Sequence, residues 1–181
     1  MTASLILERT RADNMPADME NIYLEGHFEK RGFSKVEFLR LFEKATKVHV
    51  TKGAMLARDG QENKTLFFVV QGNINIQRKG QHIAEVTANH FIGEMTFLNY
   101  LLADESDENI KSSSSSKPSG TIATADATVV TDELVAYAWS FDSLTEYLSG
   151  EREVRNALSA YMNHDLRAKL AALSKATTNS S

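Results

Sequence analysis

The chain contains no cysteine, only two prolines and a single tryptophan among its 181 residues. The missing cysteine excludes a disulfide scaffold, a cysteine-ligated zinc site and a thiol nucleophile, and it agrees with a reducing compartment. Long hydrophobic runs are missing too: none approaches the ~20 residues needed to span a bilayer. Positive charge is scarce. Twenty Lys and Arg against 24 Asp and Glu leave a formal net charge of −4, which disfavours a duplex nucleic-acid binder that neutralises phosphates. The first 14 residues lack the basic start and the apolar length of a secretory signal, so Asn63-Lys64-Thr65 reads as a chance glycosylation triplet. What is present, 42% hydrophobic and 24% charged residues, fits one soluble globular domain with tails. A chain near this size buries roughly 70% of its unfolded surface, enough for a single core.

Helical signals come first. Pro16, Asp18 and Glu20 suit the start of a helix running to Phe28, with Met19, Ile22, Tyr23 and Phe28 on one apolar face. Ser34-Lys35-Val36-Glu37 is a capping box, and Phe33 with Phe38 forms its hydrophobic staple. Val36, Leu39, Phe42 and Ala45 then recur at helical spacing. Residues 1–45 are thus a tail and a helical segment. From Thr46 the period changes to two. Lys47 to Thr51, Ala54 to Ala57, Leu66 to Val70, Ile74 to Arg78 and His82 to Val86 read as strands punctuated by Asp59-Gly60, Gly72-Asn73 and Lys79-Gly80. Strand signals return at Thr121 to Val130 and Leu134 to Trp139. Between them, residues 93–102 read as a short helix. Residues 103–120, acidic and then serine-rich, read as a disordered loop. Ser140 caps a further helix carrying Phe141, Leu144 and Leu148. Glu151 to Leu173 forms a longer amphipathic helix with Val154, Leu158, Met162, Leu166, Leu170 and Leu173 on one side. Residues 174–181 form a tail. The expected class is mainly β with flanking α: about eight antiparallel strands over 46–139 in a sandwich or barrel, with the C-terminal helices at 140–173.

Catalytic chemistry finds little support. His82, His90 and Glu94 are the only clustered metal-type ligands, and their spacing gives no converging pair, so no metal is expected. There is no Gly-x-Ser-x-Gly elbow and no Gly-rich phosphate loop. Gly93-Glu94 is more informative. A glycine before a helix lets backbone approach a ligand, and the N–H groups from Glu94 through Thr96 are orphan donors that favour an anion. Glu94 is able to accept from a sugar hydroxyl. The alternative is a turn glycine and a helix-start carboxylate serving the macrodipole.

Over Lys47 to Leu173 the sequence resembles the cyclic nucleotide-binding domain superfamily. Met55 to Gly60 and Leu66 to Ile74 are similar to its paired strands with turn glycines. Phe91-Ile92-Gly93-Glu94-Met95-Thr96-Phe97-Leu98 resembles its phosphate-binding cassette, and Ala127-Thr128-Val129-Val130 the strand that follows. The resemblance implies an eight-stranded antiparallel jelly-roll between N-terminal helices and C-terminal hinge helices. It also implies a ligand, cAMP above all, at Gly93, Glu94, Met95, Thr96, Ala125, Asp126, Ala127 and Thr128, with its ribose hydroxyl on Glu94. The family's cassette arginine falls on Ala125 here, and no arginine lies between Arg78 and Arg152. The run from Val135 to Trp139, with Tyr147-Leu148 and Tyr161 to Leu170, looks like the end of a Popeye domain, a branch that also lacks the arginine. The Asp-Ser-Pro-Glu and Phe-Gln-Val-Thr blocks of that branch are absent. The resemblance implies a non-enzymatic regulatory domain without a resident cofactor. It would be cytoplasmic, or the cytosolic part of a membrane protein, and act on an effector. The rival expectation is a degenerate module that binds no nucleotide and serves in homodimerisation or protein docking.

Overall fold

A computed structural model describes residues 13–107 and 119–178. The N-terminal segment consists of α1 (Ala17–Glu25), a 3-10 turn (Glu29–Arg31) and α2 (Lys35–Glu43). Ser34 caps α2 as its sequence requires: its hydroxyl accepts from Glu37 N–H, and the Glu37 carboxylate accepts from Ser34 N–H. The buried face of α2 is Phe38, Leu41 and Phe42; of the expected stripe Val36, Leu39, Phe42 and Ala45 only Phe42 is buried, while Leu39 and Ala45 pack at its edge. The staple explains the rotation, because Phe33 and Phe38 are both buried and turn the helix toward the aromatic cluster.

Eight strands follow: β1 (Thr46–Thr51), β2 (Met55–Ala57), β3 (Thr65–Gln71), β4 (Ile74–Arg78), β5 (Gln81–Val86), β6 (His90–Ile92), β7 (Asp126–Val129) and β8 (Glu133–Ser140). They form two antiparallel four-stranded sheets, ordered β1-β8-β3-β6 and β2-β7-β4-β5. This is the expected jelly-roll arrangement, flanked by helices. β6 is a strand of three residues that the sequence reading merged with the following helix. That helix, α3 (Glu94–Asp107), runs past the expected end at 102, so the first part of the presumptive loop over 103–120 is helical. Residues 108–118 of that loop, the first 12 residues and residues 179–181 lie outside the described residues. At the C-terminus, α4 (Phe141–Ser149) and α5 (Arg152–Thr178) complete the chain, and α5 extends into the expected tail.

Period-two alternation sorts the strand side chains into two cores. Val69, Ile74, Val86, Ile92, Ala127, Val129, Leu134 and Ala136 pack between the sheets. The opposite faces of β3 and β8, carrying Leu66, Phe68, Tyr137 and Trp139, meet the helices in a larger aromatic cluster. Phe28 sits at its centre. Its ring centroid lies 4.9–5.4 Å from those of Phe33, Phe38, Phe42, Phe68 and Tyr161, edge-on and tilted contacts that add to the gain from burial. The Trp139 indole N–H, fully buried, donates to Leu41 O at 2.9 Å, which satisfies the one polar atom of that side chain. The helices therefore pack on the outside of one sheet. The interior between the sheets is left to smaller aliphatic residues.

Candidate functional site

β6 ends at Ile92 and α3 begins at Glu94, so a single residue turns the chain. Gly93 does so at φ +89°, a left-handed conformation in which side chains are strained. A Cβ there would also sit 2.9 Å from Thr65 O and 3.0 Å from Asn63 Nδ2. Only glycine meets both conditions. The turn directs the first turn of α3 at a cavity of about 220 Å³ lined by Gly93, Glu94, Met95 and Thr96 from α3, by Ile76 and Arg78 from β4, by residues 123–127, and by Leu166, Lys169 and Leu170 from α5. Small-molecule clefts usually hold ~300–1,000 Å³, and α5 supplies the wall that narrows this one. Phe97 N–H already donates to Gly93 O, whereas the N–H groups at the start of a helix have no carbonyl one turn back. Asn63 contributes another donor. It is buried, its Oδ1 accepts from Thr65 N–H at 3.2 Å, and its Nδ2 lacks an acceptor. A buried amide is a poor glycosylation acceptor, in keeping with the reading of that triplet as chance.

Four ionisable groups form a seam between α5 and the β6–α3 junction. Lys169 Nζ donates to the Glu94 carboxylate and to Phe91 O, and lies 3.1 Å from Asp165 Oδ2. Asp165 in turn accepts from Phe91 N–H at 3.0 Å and pairs with His90 Nδ1. Glu94 and Asp165 are both buried, yet their acidities move in opposite directions. Burial pushes the Glu94 carboxyl above the ordinary range, and Lys169 only partly offsets it. Burial acts upward on Asp165 too, but there the His90 hydrogen bond, the Lys169 charge and the Phe91 N–H prevail and hold it below the ordinary range. The difference lies in how many donors each carboxylate receives.

Of the residues expected at a ligand, Gly93, Glu94, Met95, Thr96, Ala125, Asp126 and Ala127 line the cavity. Thr128 does not. It pairs with Met55 and Asn75, on the face of β7 opposite the inward Ala127 and Val129, so strand alternation removes it from the site. Ala125 stands on the cavity wall where the resemblance places an arginine. Asp126 Oδ1 accepts from Asp59 N–H at 2.8 Å, which ties β7 to the β2–β3 connection. Sequence reading missed Asn63, Arg78 and Lys169. The strand alternation Ile74, Ile76, Arg78 marks Arg78 as facing the same side as the inward Ile74. Nothing in the sequence signals that Lys169, on the polar side of an amphipathic pattern, folds back onto Glu94. Among the described residues no cluster of His, Cys, Asp and Glu has metal-binding geometry, and no helix is long and apolar enough to cross a membrane.

No protein-family model matches the chain, and no curated protein sequence matches it. Solved structures do. A cyclic nucleotide-binding domain from Methylobacillus flagellatus KT is 18% identical with a TM-score of 0.67, over 89% of this chain and 85% of that one. The c-di-GMP-responsive global regulator CLP of Xanthomonas campestris is 12% identical with a TM-score of 0.60, over 80% of this chain and 63% of that one. The regulatory subunit of a cAMP-independent protein kinase A from Trypanosoma cruzi, bound to guanosine, is 16% identical with a TM-score of 0.53, over 71% of this chain and 40% of that one. The chain thus spans less than two thirds of the latter two. The fold is that of cyclic nucleotide-binding domains.

Proposed function

We propose that this chain is a non-catalytic regulatory domain that binds a cyclic nucleotide, with cAMP as the first candidate, and passes occupancy to its C-terminal helices. The observation that carries the proposal is the convergence on one cavity of a glycine cut for close approach, the open first turn of α3 and a buried amide donor without an acceptor. These are the elements that receive an anion, and Glu94 beside them is a carboxylate able to take a ribose hydroxyl. The relay follows from Lys169. It holds Glu94 from α5, so a ligand hydroxyl on the same carboxylate changes the energy of docking α5. A ligand shifts a conformational equilibrium only through such differential contact. Ala125 in place of an arginine, together with the stretch from Val135 to Leu170, supports a Popeye-type domain, either cytoplasmic or the cytosolic part of a membrane protein that meets an effector.

Millimolar cAMP is expected to raise the melting temperature, with a smaller rise for AMP. Ligand at ~100 times its Kd adds about 2.7 kcal/mol, several degrees for a chain of this size. If calorimetric titration gives no heat and the melting temperature does not move, sensing is wrong. The docking alternative draws on one specific feature: Leu102 and Leu170 are 62% and 55% exposed on helices that flank the cavity. A stable dimer by light scattering, indifferent to cAMP, would favour that alternative.

A further inference from the structure

Among the described residues, one cation lining the site has no protein partner. Lys169 is committed to Glu94, Phe91 O and Asp165, and the Asp126 carboxylate is engaged by Asp59 N–H. Arg78 lines the same cavity from the end of β4, is exposed, and has no hydrogen bond or ion pair among the described residues. Its place in the sheet is specific. The β4–β7 register runs Ile74↔Val129, Asn75↔Thr128, Ile76↔Ala127 and Gln77↔Asp126. The ladder ends there; Arg78 is the next residue of β4 and Ala125 the residue that leads into β7, and both line the cavity. The arginine is therefore on the neighbouring strand, beside the end of the ladder that leads to the position where the sequence resemblance looks for one, and the methyl side chain at 125 leaves room for a longer neighbour.

We infer that Arg78 is the anion-pairing residue of this site, binding the phosphate of the nucleotide from β4. This rests on the nucleotide reading above and adds to it the residue that discriminates a phosphorylated ligand from its nucleoside. A guanidinium presents a planar fork of donors suited to two phosphate oxygens at once. Arg78 shares the cavity with the first turn of α3 and with the Asn63 amide that lacks an acceptor. Glu94, balanced by Lys169, remains available for a neutral hydroxyl. The exposure of Arg78 fits the role, because a cation held by a protein carboxylate would have to be released before a ligand could enter.

Calorimetric titration of cAMP and of adenosine into the whole chain and its variants tests this. The unaltered chain should bind both, cAMP more tightly. Arg78→Ala should weaken cAMP roughly ten- to hundredfold, the scale of one charge-assisted contact, and leave adenosine unchanged. Arg78→Lys should recover only part of the loss. Adding Ala125→Arg to Arg78→Ala should restore cAMP binding, since the two positions face the same phosphate. Arg78 is exposed, so its variants should melt with the unaltered protein, and a melting curve for each checks this. If cAMP binds the unaltered chain and Arg78→Ala equally, the assignment of Arg78 is overturned while the nucleotide site stands. If Arg78→Ala weakens adenosine as much as cAMP, the arginine does not read phosphate, which also overturns it. If neither ligand binds the unaltered chain, the nucleotide reading fails, and the role of Arg78 fails with it.

Discussion

Gly93 and Lys169 show how single residues define the site. At Gly93 the backbone turns through a region that strains other residues, and the space above it is claimed by Thr65 O and Asn63 Nδ2. Part of this was readable from sequence, because a glycine ahead of an apolar helix is a recognisable sign. The close approach of the Asn63 amide was not, since it depends on β3 lying beside β6. Lys169 illustrates the opposite case. A lysine near the end of an amphipathic helix reads as a solvated charge, and here it stabilises a buried carboxylate 75 residues away in sequence. Removing one partner of a buried pair strands the other, at a cost of about 3–5 kcal/mol. Lys169→Met should therefore lower stability by about 3 kcal/mol at neutral pH in urea denaturation, taking the lower end because the Lys169 side chain is 16% exposed. The sign with pH follows from Glu94, whose folded pKa lies above its unfolded value. Its ionisation costs stability as pH rises through the ordinary glutamate range near ~4.3, so the defect should shrink in acid, where the carboxyl is protonated. Adding Glu94→Gln should restore most of the loss at pH 7. An equal defect at pH 4 and pH 7 would mean that Lys169 contributes packing and not charge.

Element by element, the chain was legible where signals are local and opaque where they depend on register. Ser34 and Glu37 fixed the start of α2 from four residues, and the glycine pairs marked the β2–β3 and β4–β5 turns. β6 escaped notice because three residues are too few to show alternation. That Thr128 does not line the cavity is not legible from counting along a strand, which ignores the face each residue takes. Arg78 is not legible as a cavity residue because it lies far upstream of Gly93 in the chain, and only the pairing of β4 with β7 brings it there. The docking of α5 on β6 also has a measurable signature. Asp165 accepts from Phe91 N–H and from His90, and its folded pKa lies below its unfolded one. A carboxylate of this kind stabilises the fold above the ordinary aspartate range near ~3.9 and loses that contribution as pH falls through the lower, native value. Asp165→Asn should thus be less stable than the unaltered chain at neutral pH and converge with it in acid. Urea denaturation between about pH 2 and pH 6, the span in which carboxylates titrate, measures both curves. Parallel curves would show that the seam draws nothing from the charge of Asp165.

At the scale of the whole molecule, the two cores divide the labour. The aliphatic core closes the sheets on each other and leaves the cavity at one end. The aromatic cluster fastens the N-terminal and C-terminal helices to the outside of the β1-β8-β3-β6 sheet. α5 belongs to both regions. Val154, Leu158, Tyr161 and Met162 are buried in the aromatic cluster, the Tyr161 hydroxyl donates to Gly26 O, and the next turns carry Asp165 to β6 and Lys169 to the cavity. Arg31, stacked 5.5 Å from the centre of the Tyr161 ring and 3.0 Å from His164 Nδ1, ties the same helix to the N-terminal segment. This coupling was not visible in the sequence, which gave the apolar stripe of α5 without saying what it covers.

The position of Trp139 turns this layout into an optical readout. The indole is sealed inside the aromatic cluster, bonded to the last turn of α2, and is absent from the cavity wall. Its emission therefore reports the seating of the helices and is blind to direct contact with a small molecule. A spectral shift on adding nucleotide would be a signal from helices being rearranged at a distance. Heat released in a titration without any change in emission would mark occupancy that goes no further than the cavity itself.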